Sequence, residues 1–553
     1  MVWNYTNHTY FGGFMSNFKR HLALSLSTLL LAASLAACSP SAPNAETFEP
    51  DQNIVKIGEA ADGPHAAKDR KLAKRVVSEN ATGTVSIVEI DFGNTSVGDF
   101  SAPARGLLVA PKNFDGKSPL VVLSHLRAPN CSENTFAYPC PAKTTEYRFD
   151  RGMTYFAETL AETGYTVIIP DLGGVYIGWD IKAPYDQHEM WKDIVSKFVS
   201  NLKSDVAGQT NTFGLKTLPT PDLSNVGLFL HSRSGAAVIP AAEVFGKGNI
   251  KGIFAYGPSY DTQELENISP APQDIPYLAV VGESDADVGP SANLWISHYL
   301  PQKRKHTISV VAVPGFGHML INQEAEKYQI DDRIGCDEAD CPDATAHQKL
   351  VKEIGLEWFN ATLRGKETNL PLDKVEALPD SVAGLPARWL AATPNALRSL
   401  SPTDFKPAKD GSATICVHTD PMNPNKPENA CPMPELGIVL GLTEVNYFTE
   451  AVAETSVKGA HGMALHVSPT GSYGDAGTGL DITLTLDNGK EEKLRVSPQH
   501  PALINRETDT DNGTYQLGTI RLTLPASVTD ATITRIHLKT DNHPVQLRTV
   551  DFF

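Results

Sequence analysis

The sequence is poor in basic residues, in cysteine and in repeats. Lys and Arg number 47 against 64 Asp and Glu, which gives a net charge of -17, and the longest basic run is "KDRKLAKR". Binding nucleic acid through its phosphates requires clustered Lys and Arg, so this class of partner is excluded. No cysteine pair has CxxC spacing with histidines nearby, so we set a zinc site aside. The sequence predicts no metal and shows no internal repeat.

The N-terminus carries a targeting signal. Lys19 and Arg20 precede the apolar run "LALSLSTLLLAASLAA", which is followed by Cys38. The run is short for a bilayer span and ends in small residues, as a cleavable signal does, although an uncleaved membrane anchor is the alternative. The tetrad "LAAC" resembles a bacterial lipobox, in which the cysteine becomes lipidated. Because Ser39 follows, the resemblance implies an exported lipoprotein in the outer membrane, facing the periplasm or the cell surface.

The remaining cysteines form an even set, as expected of disulfides in an oxidising compartment. Other connectivities stay open, but pairing between neighbours is favoured. The six residues lie in three close pairs: Cys131 with Cys140, Cys336 with Cys341, and Cys416 with Cys431.

The chain is long enough for more than one domain, because 553 residues exceed the size at which one hydrophobic core stops growing. A stretch rich in Pro, Ala, Ser and charge predicts a tether, and a second one rich in Pro and Ala predicts a linker. We therefore expect a signal peptide and lipobox at 1–38, a tether at 39–80, an α/β catalytic domain at 81–370, a linker at 371–400, and a β-sandwich domain at 401–553.

Two patterns of periodicity distinguish the folded parts. Runs such as "SPLVVLSH" and "YTVIIPD" are apolar throughout and alternate with amphipathic helical segments, which predicts a mostly parallel sheet flanked by helices. Beyond residue 400, alternating segments such as "LDITLTLDNG" and "TITRIHLKT" follow one another without a helix of comparable length. This pattern predicts an antiparallel, jelly-roll-like β-sandwich.

Three predicted strands end in residues that could act together. Ligands of open α/β sheets bind beyond the carboxyl ends of the strands. Ser232 follows one strand in "LHSRSGAA", Asp285 follows another in "VVGESDADVG", and His318 follows a third in "VPGFGHML". A strand-to-helix elbow presents a serine, and a carboxylate can hold a histidine as its base. We therefore predict Ser232 as nucleophile, with Ser234 as the alternative register.

Neighbouring positions supply the remaining candidates. Asp287 and Glu283 are lesser candidates for the carboxylate that orients the histidine. The backbone N–H of Arg233, together with that of Leu126 or Arg127 in "VVLSHLRAPNC", would form the oxyanion hole.

Residues 84 to 365 resemble the α/β-hydrolase superfamily, and within it the chlorophyllase-like and platelet-activating-factor-acetylhydrolase-like esterases. Those proteins show "SHG" after the third strand and "GHSRGG" at the elbow, whereas this chain has "SHL" and "LHSRSG", with Leu126 and Leu230 in place of glycine. The resemblance implies a serine esterase that acts through an acyl-enzyme and needs no cofactor. A lipase or peptidase of the same fold, or an inactive binding lipoprotein, is the alternative. The second domain resembles a galactose-binding-like jelly roll, which implies contact with glycans.

Overall fold

We describe the protein from a computed structural model. The structure describes residues 70–98, 100–114, 116–133, 136–177, 186–260, 269–270, 274–285, 287–288, 291–333, 341–408, 415–417, 441–469, 477–504 and 517–553. The predicted signal peptide and Cys38 lie outside these ranges. No helix in the described part of the chain is long and apolar enough to cross a membrane.

A ten-stranded sheet forms the larger layer of the molecule, in the order β1-β2-β3-β5-β4-β6-β7-β8-β9-β12. The pairs from β5 through β4 to β9 are parallel, while β1, β2, β3 and β12 are antiparallel to their neighbours. From β2 to β9 this is the strand order of the α/β-hydrolase fold, and the predicted fold class is confirmed. The strands are β1 Val76–Glu79, β2 Val85–Val97, β3 Phe100–Pro111, β4 Lys117–Ser124, β5 Thr166–Pro170, β6 Thr220–His231, β7 Ile250–Tyr256, β8 Tyr277–Gly282, β9 Ile308–Val313, β10 Ser381–Val382, β11 Leu385–Pro386 and β12 Arg388–Ala391.

Helices cover both faces of this sheet. One core packs α2, α3 and α4 against the sheet, and a second core packs α1 and α6 against its other face. The central strands are buried on both sides, which explains why their sequences are apolar throughout. The helices are α1 Thr154–Glu162, α2 Gln187–Val206, α3 Val238–Phe245, α4 Ser291–Tyr299, α5 Gln323–Lys327, α6 Ala344–Arg364 and α7 Ala526–Thr529.

Both segments predicted as connectors contribute edge strands to the sheet. The predicted tether supplies β1, and within it Arg70 donates two hydrogen bonds to the Asp91 carboxylate. The predicted linker supplies β12, which pairs antiparallel with β9 and whose residues are all buried. The expected tether and linker are therefore corrected at Val76–Glu79 and Arg388–Ala391, which are strands. Unpaired backbone at a sheet edge gains hydrogen bonds when a neighbouring segment pairs with it.

The C-terminal part contains two antiparallel sheets that enclose one hydrophobic core. One sheet has the order β15-β16-β23-β18-β21, with β13 also paired to β23, and the other has the order β14-β17-β22-β19-β20. The strands are β13 Arg398–Leu400, β14 Phe405–Pro407, β15 Ile415–Val417, β16 Gly441–Val445, β17 Ala451–Lys458, β18 Gly462–Pro469, β19 Leu480–Leu486, β20 Glu491–Val496, β21 Gly518–Thr523, β22 Thr532–Thr540 and β23 Val545–Phe552.

The sandwich packs against the α/β part through apolar contacts of Leu442 and Leu517 and through hydrogen bonds. The Asn293 side chain of α4 exchanges two hydrogen bonds with the backbone of Leu517, at 2.9 and 3.0 Å. The Ala391 N–H of β12 donates to the Thr519 hydroxyl, which lies beside the buried His466 of β18. These contacts join the sandwich to the α/β part at β21 and at the residue before it.

Candidate active site

Ser232 lies at a sharp turn directly after β6. Its backbone has φ +59°, in the left-handed region that a non-glycine residue rarely adopts, and the residue is 3% exposed. The Ser232 carbonyl accepts a hydrogen bond from Ser259 N–H at 2.9 Å, which fixes the turn. A 3-10 helix, Ser232–Ala237, precedes α3, so the strand does not pass directly into an α-helix. Such a strained turn at a strand end is the geometry that presents a nucleophile.

Ser234 is placed differently. It is fully buried, donates its hydroxyl to the His125 carbonyl at 2.6 Å, and lies 3.0 Å from the Tyr176 hydroxyl. Because its proton is used in the bond to His125, Tyr176 donates to the Ser234 oxygen. Ser234 thus ties the elbow to the segment after β4.

His318 and Asp285 form a buried pair at the ends of β9 and β8. The His318 Nδ1 lies 2.9 Å from Asp285 Oδ2, and both side chains are fully buried. The other oxygen, Oδ1, accepts the backbone N–H groups of Asp287 and Val288 at 3.0 and 2.9 Å. Gly257 leaves the space for this pair, since a Cβ there would lie 2.6 Å from His318 Nδ1. The carboxylate is therefore fixed by its own loop and fixes the imidazole in turn.

The pKa of His318 is raised to about 10. Burial alone would lower the pKa, but the charge of Asp285 and its hydrogen bond outweigh burial, and Asp287 and Asp332 add to the rise. The charged imidazole is therefore favoured at neutral pH. Because a general base must be neutral to accept a proton, its reactive form increases as pH rises.

The two alternative acids lie in different surroundings. Asp287 Oδ2 is 3.5 Å from His318 Nε2, the nitrogen opposite the Asp285 contact. Nε2 itself makes no hydrogen bond to any residue that the structure describes. Glu283 follows β8, and its backbone N–H donates to Val313. Of the candidate carboxylates, Asp285 alone has a described hydrogen bond to Nδ1.

A further carboxylate, Asp332, was not identified from the sequence. Its two oxygens accept the backbone N–H of His318 at 2.9 Å, and one also accepts that of Met319 at 2.9 Å. Burial and the charge of Asp285 raise the pKa of Asp332 to about 6, against the opposing effect of His318. Asp332 thus holds the turn that carries the histidine. No sequence motif marks it, because it lies in a loop 14 residues beyond His318.

We expect Asp332→Asn to change the pH dependence of hydrolysis. The variant keeps an acceptor for the backbone N–H groups but removes a negative charge near His318, so the pKa of His318 falls. Since activity requires neutral imidazole, the rise of kcat/KM with pH should move to lower pH by up to about one unit, with kcat reduced about tenfold. A pH–rate profile from pH 6 to 11 measures this shift. An unchanged midpoint would show that the Asp332 charge does not reach the imidazole.

His231, directly before Ser232, stabilises the turn that carries His318. It is fully buried, and its Nε2–H donates to the His318 carbonyl at 3.0 Å. Burial and the neighbouring His318 hold its pKa well below the usual value, so His231 is neutral. It is a positioning residue for His318.

The segment after β4 carries the predicted oxyanion donors. His125 Nδ1–H donates to the Leu126 carbonyl at 2.7 Å, and His125 Nε2 accepts the Leu172 N–H at 2.8 Å. Both nitrogens of this buried imidazole therefore hold the backbone around the segment after β4. Arg127 donates from Nε to the Tyr176 carbonyl. The Leu126 side chain, where related motifs have glycine, packs into a small core with Phe149 and Met319, next to the histidine turn. Together with Arg233 after Ser232, these residues flank the elbow.

Three of the cysteines that the structure describes are in disulfides. Cys131 and Cys140 are joined, which holds the loop after Arg127. Cys341 is also in a disulfide, whose partner is outside the described residues. Cys336 and Cys431 are outside them as well, as is the side chain of Cys416, so these pairings stay predictions. No group of His, Cys, Asp or Glu within the described ranges could hold a metal ion.

Comparisons with known proteins find only distant similarities, all of them to solved structures. No family model and no curated protein matches the sequence. Among solved structures, a Legionella pneumophila protein assigned as a hydrolase is 12% identical and covers 54% of this chain and 100% of its own, with a TM-score of 0.32. A sugar hydrolase from Lactococcus lactis is 12% identical over 53% of this chain and 100% of its own, with a TM-score of 0.26. A glucuronoyl esterase from Teredinibacter turnerae is 13% identical over 45% of this chain and 69% of its own, with a TM-score of 0.25.

Proposed function

We propose that this protein is a serine hydrolase that cleaves carboxylic esters, with Ser232 as nucleophile, His318 as base and Asp285 as the residue that orients it. The observation that carries the proposal is the coincidence of a strained serine elbow with a buried, hydrogen-bonded His–Asp pair at the ends of adjacent strands. Ser234 is the weaker candidate because its hydroxyl is buried and donated to His125.

The proposed mechanism assigns one role to each of these three residues. His318 Nε2 takes the proton of Ser232 as the hydroxyl attacks the ester carbonyl, and a C–O bond to the serine forms. The backbone N–H of Arg233, with that of Leu126 or Arg127, holds the oxyanion. When the ester C–O bond breaks, Nε2 returns the proton to the leaving alcohol. Water then releases the acyl group by the same steps, while Asp285 stabilises the imidazolium.

Labelling with a fluorophosphonate tests the proposal. The chain from residue 39 onward, with disulfides formed, should be labelled on the peptide that contains Ser232, and His318→Ala should abolish the label. Label on Ser234 would identify Ser234, and not Ser232, as the nucleophile. A folded protein that takes no label would favour the inactive, ligand-binding alternative.

We also propose that Cys38 bears a lipid that anchors the protein to the outer membrane, and that the β-sandwich contacts glycan. The glycan proposal is supported by an exposed pair on the loop after β16: Tyr447 and Phe448 are 38% and 67% exposed, with ring centroids 3.8 Å apart. Exposed aromatic faces suit stacking on sugar rings. Retention of the wild type but not Phe448→Ala on insoluble polysaccharide would support this role, and equal retention would contradict it.

A further inference from the structure

A carboxylate lies beside the nitrogen that would deliver a proton to the leaving group. Asp287 Oδ2 is 3.5 Å from His318 Nε2, and the Asp287 side chain is 44% exposed whereas that of His318 is fully buried. The Asp287 backbone is fixed, because its N–H donates to Asp285 Oδ1 at 3.0 Å. One carboxylate of this loop therefore orients the imidazole, and a second faces both the imidazole and solvent.

If His318 acts as the base, the oxygen that receives its proton must reach Nε2. This nitrogen makes no hydrogen bond to any described residue, whereas the opposite nitrogen is bonded to Asp285. An oxygen that receives a proton from Nε2 must approach it to about 3 Å. The alcohol portion of an ester that reacts at Ser232 would therefore lie within about 6–7 Å of the Asp287 carboxylate, given this hydrogen-bond length.

The charges around this position have one dominant sign. Asp285, Asp287 and Asp332 all act on His318 in the direction that favours positive charge. The nearby Arg333 side chain is engaged by the Asp331 carboxylate, with contacts of 2.6 to 3.0 Å. On the other side of the elbow, Arg127 donates to the Tyr176 carbonyl near the oxyanion segment. The three carboxylates around His318 therefore favour a positive charge at this position.

We propose that Asp287 selects esters whose alcohol portion carries a positive charge, such as esters of amino alcohols or quaternary ammonium alcohols. This inference rests on the proposed function and assigns its leaving group. A cation bound there neutralises the partly exposed carboxylate. Proton transfer remains as described: the serine proton passes through Nε2 to the departing oxygen, and Asp287 takes no part in bond making or breaking.

A pair of substrates with equal shape tests the proposal. Acetylcholine and 3,3-dimethylbutyl acetate share the acyl group and differ in the charge of the alcohol. We expect wild type to prefer the choline ester about tenfold in kcat/KM, as an attraction across a few ångströms of partly solvated space allows. In Asp287→Asn the ratio should fall to near one. Because the variant also lowers the pKa of His318 for both substrates, the ratio and not the absolute rate is the readout.

Two controls separate charge recognition from other effects. Glu283→Gln removes a carboxylate from the same loop and should leave the ratio unchanged. Added salt should reduce the wild-type ratio, because Asp287 is partly exposed. A wild-type ratio near one, or a preference that persists in Asp287→Asn, would overturn the proposal. A preference for glycerol monoacetate over both esters that is lost in Asp287→Asn would overturn it in favour of hydroxyl recognition.

A binding measurement distinguishes failure of the leaving-group assignment from failure of the proposed function. Choline should slow fluorophosphonate labelling of Ser232 in wild type but not in Asp287→Asn, and 3,3-dimethylbutanol should slow it equally in both. If Ser232 is labelled and choline gives no protection, the leaving-group assignment fails while the serine hydrolase stands. If Ser232 takes no label, the proposed function itself fails.

Discussion

Ser232→Ala is expected to reduce kcat for ester hydrolysis by roughly 10⁵-fold, to the level that binding and the oxyanion donors alone provide. The hydroxyl of Ser232 is the only group lost, and an alanine at this position retains the left-handed turn at a small additional cost. Initial rates with a chromogenic acyl ester measure the effect, and circular dichroism with thermal unfolding shows whether the fold is kept.

Ser234→Ala is the matched control two residues along the chain. It leaves the His125 carbonyl and the Tyr176 hydroxyl without their common partner, so we expect a loss of about 1–3 kcal/mol in the free energy of unfolding and less than a hundredfold loss in kcat. If Ser234→Ala is the inactive variant and Ser232→Ala retains activity, the assignment of the nucleophile is reversed.

Asp285→Asn is expected to reduce kcat by about 10⁴-fold with little effect on the fold. The asparagine oxygen can still accept the N–H groups of Asp287 and Val288, which places the amide nitrogen toward His318 Nδ1. The imidazole must then turn an acceptor nitrogen to the amide and carry its proton on Nε2, where it can no longer accept the serine proton. Steady-state kinetics at saturating ester, from pH 6 to 10, measures the loss.

Asp287→Asn provides the comparison for this prediction. It removes a carboxylate of the same loop that contacts the other nitrogen, and we expect less than a tenfold change in kcat for a neutral ester. Equal losses in the two variants would mean that the loop responds to any loss of charge. Activity of Asp285→Asn within tenfold of wild type would show that His318 does not need its carboxylate partner.

Local pattern accounts for much of the architecture. The apolar runs and their alternation with amphipathic helices predicted a mostly parallel sheet, since strands covered on both faces need apolar side chains at every position. The edge strands of the sheet could not be predicted from this pattern. β12 lies in a segment whose Pro and Ala content indicates a linker, and only the unpaired edge of β9 explains why Arg388–Ala391 becomes a strand.

The sequence also predicted only part of the candidate site. Chain order and strand ends were enough to select Ser232, Asp285 and His318, because the fold brings the carboxyl ends of neighbouring parallel strands to one edge. The preference for Ser232 over Ser234 as the proposed nucleophile rests on the backbone angle of Ser232 and on the buried bond of Ser234 to His125, 109 residues away.

The sequence by itself determined the class of fold and three residues of the candidate site, since periodicity and chain order are local properties that side-chain chemistry imposes on each element. Only the tertiary structure placed Asp332 beneath the histidine turn and Asp287 beside Nε2. The physical reason is that hydrogen bonds and charge interactions act through space, between groups whose separation along the chain carries no regular pattern.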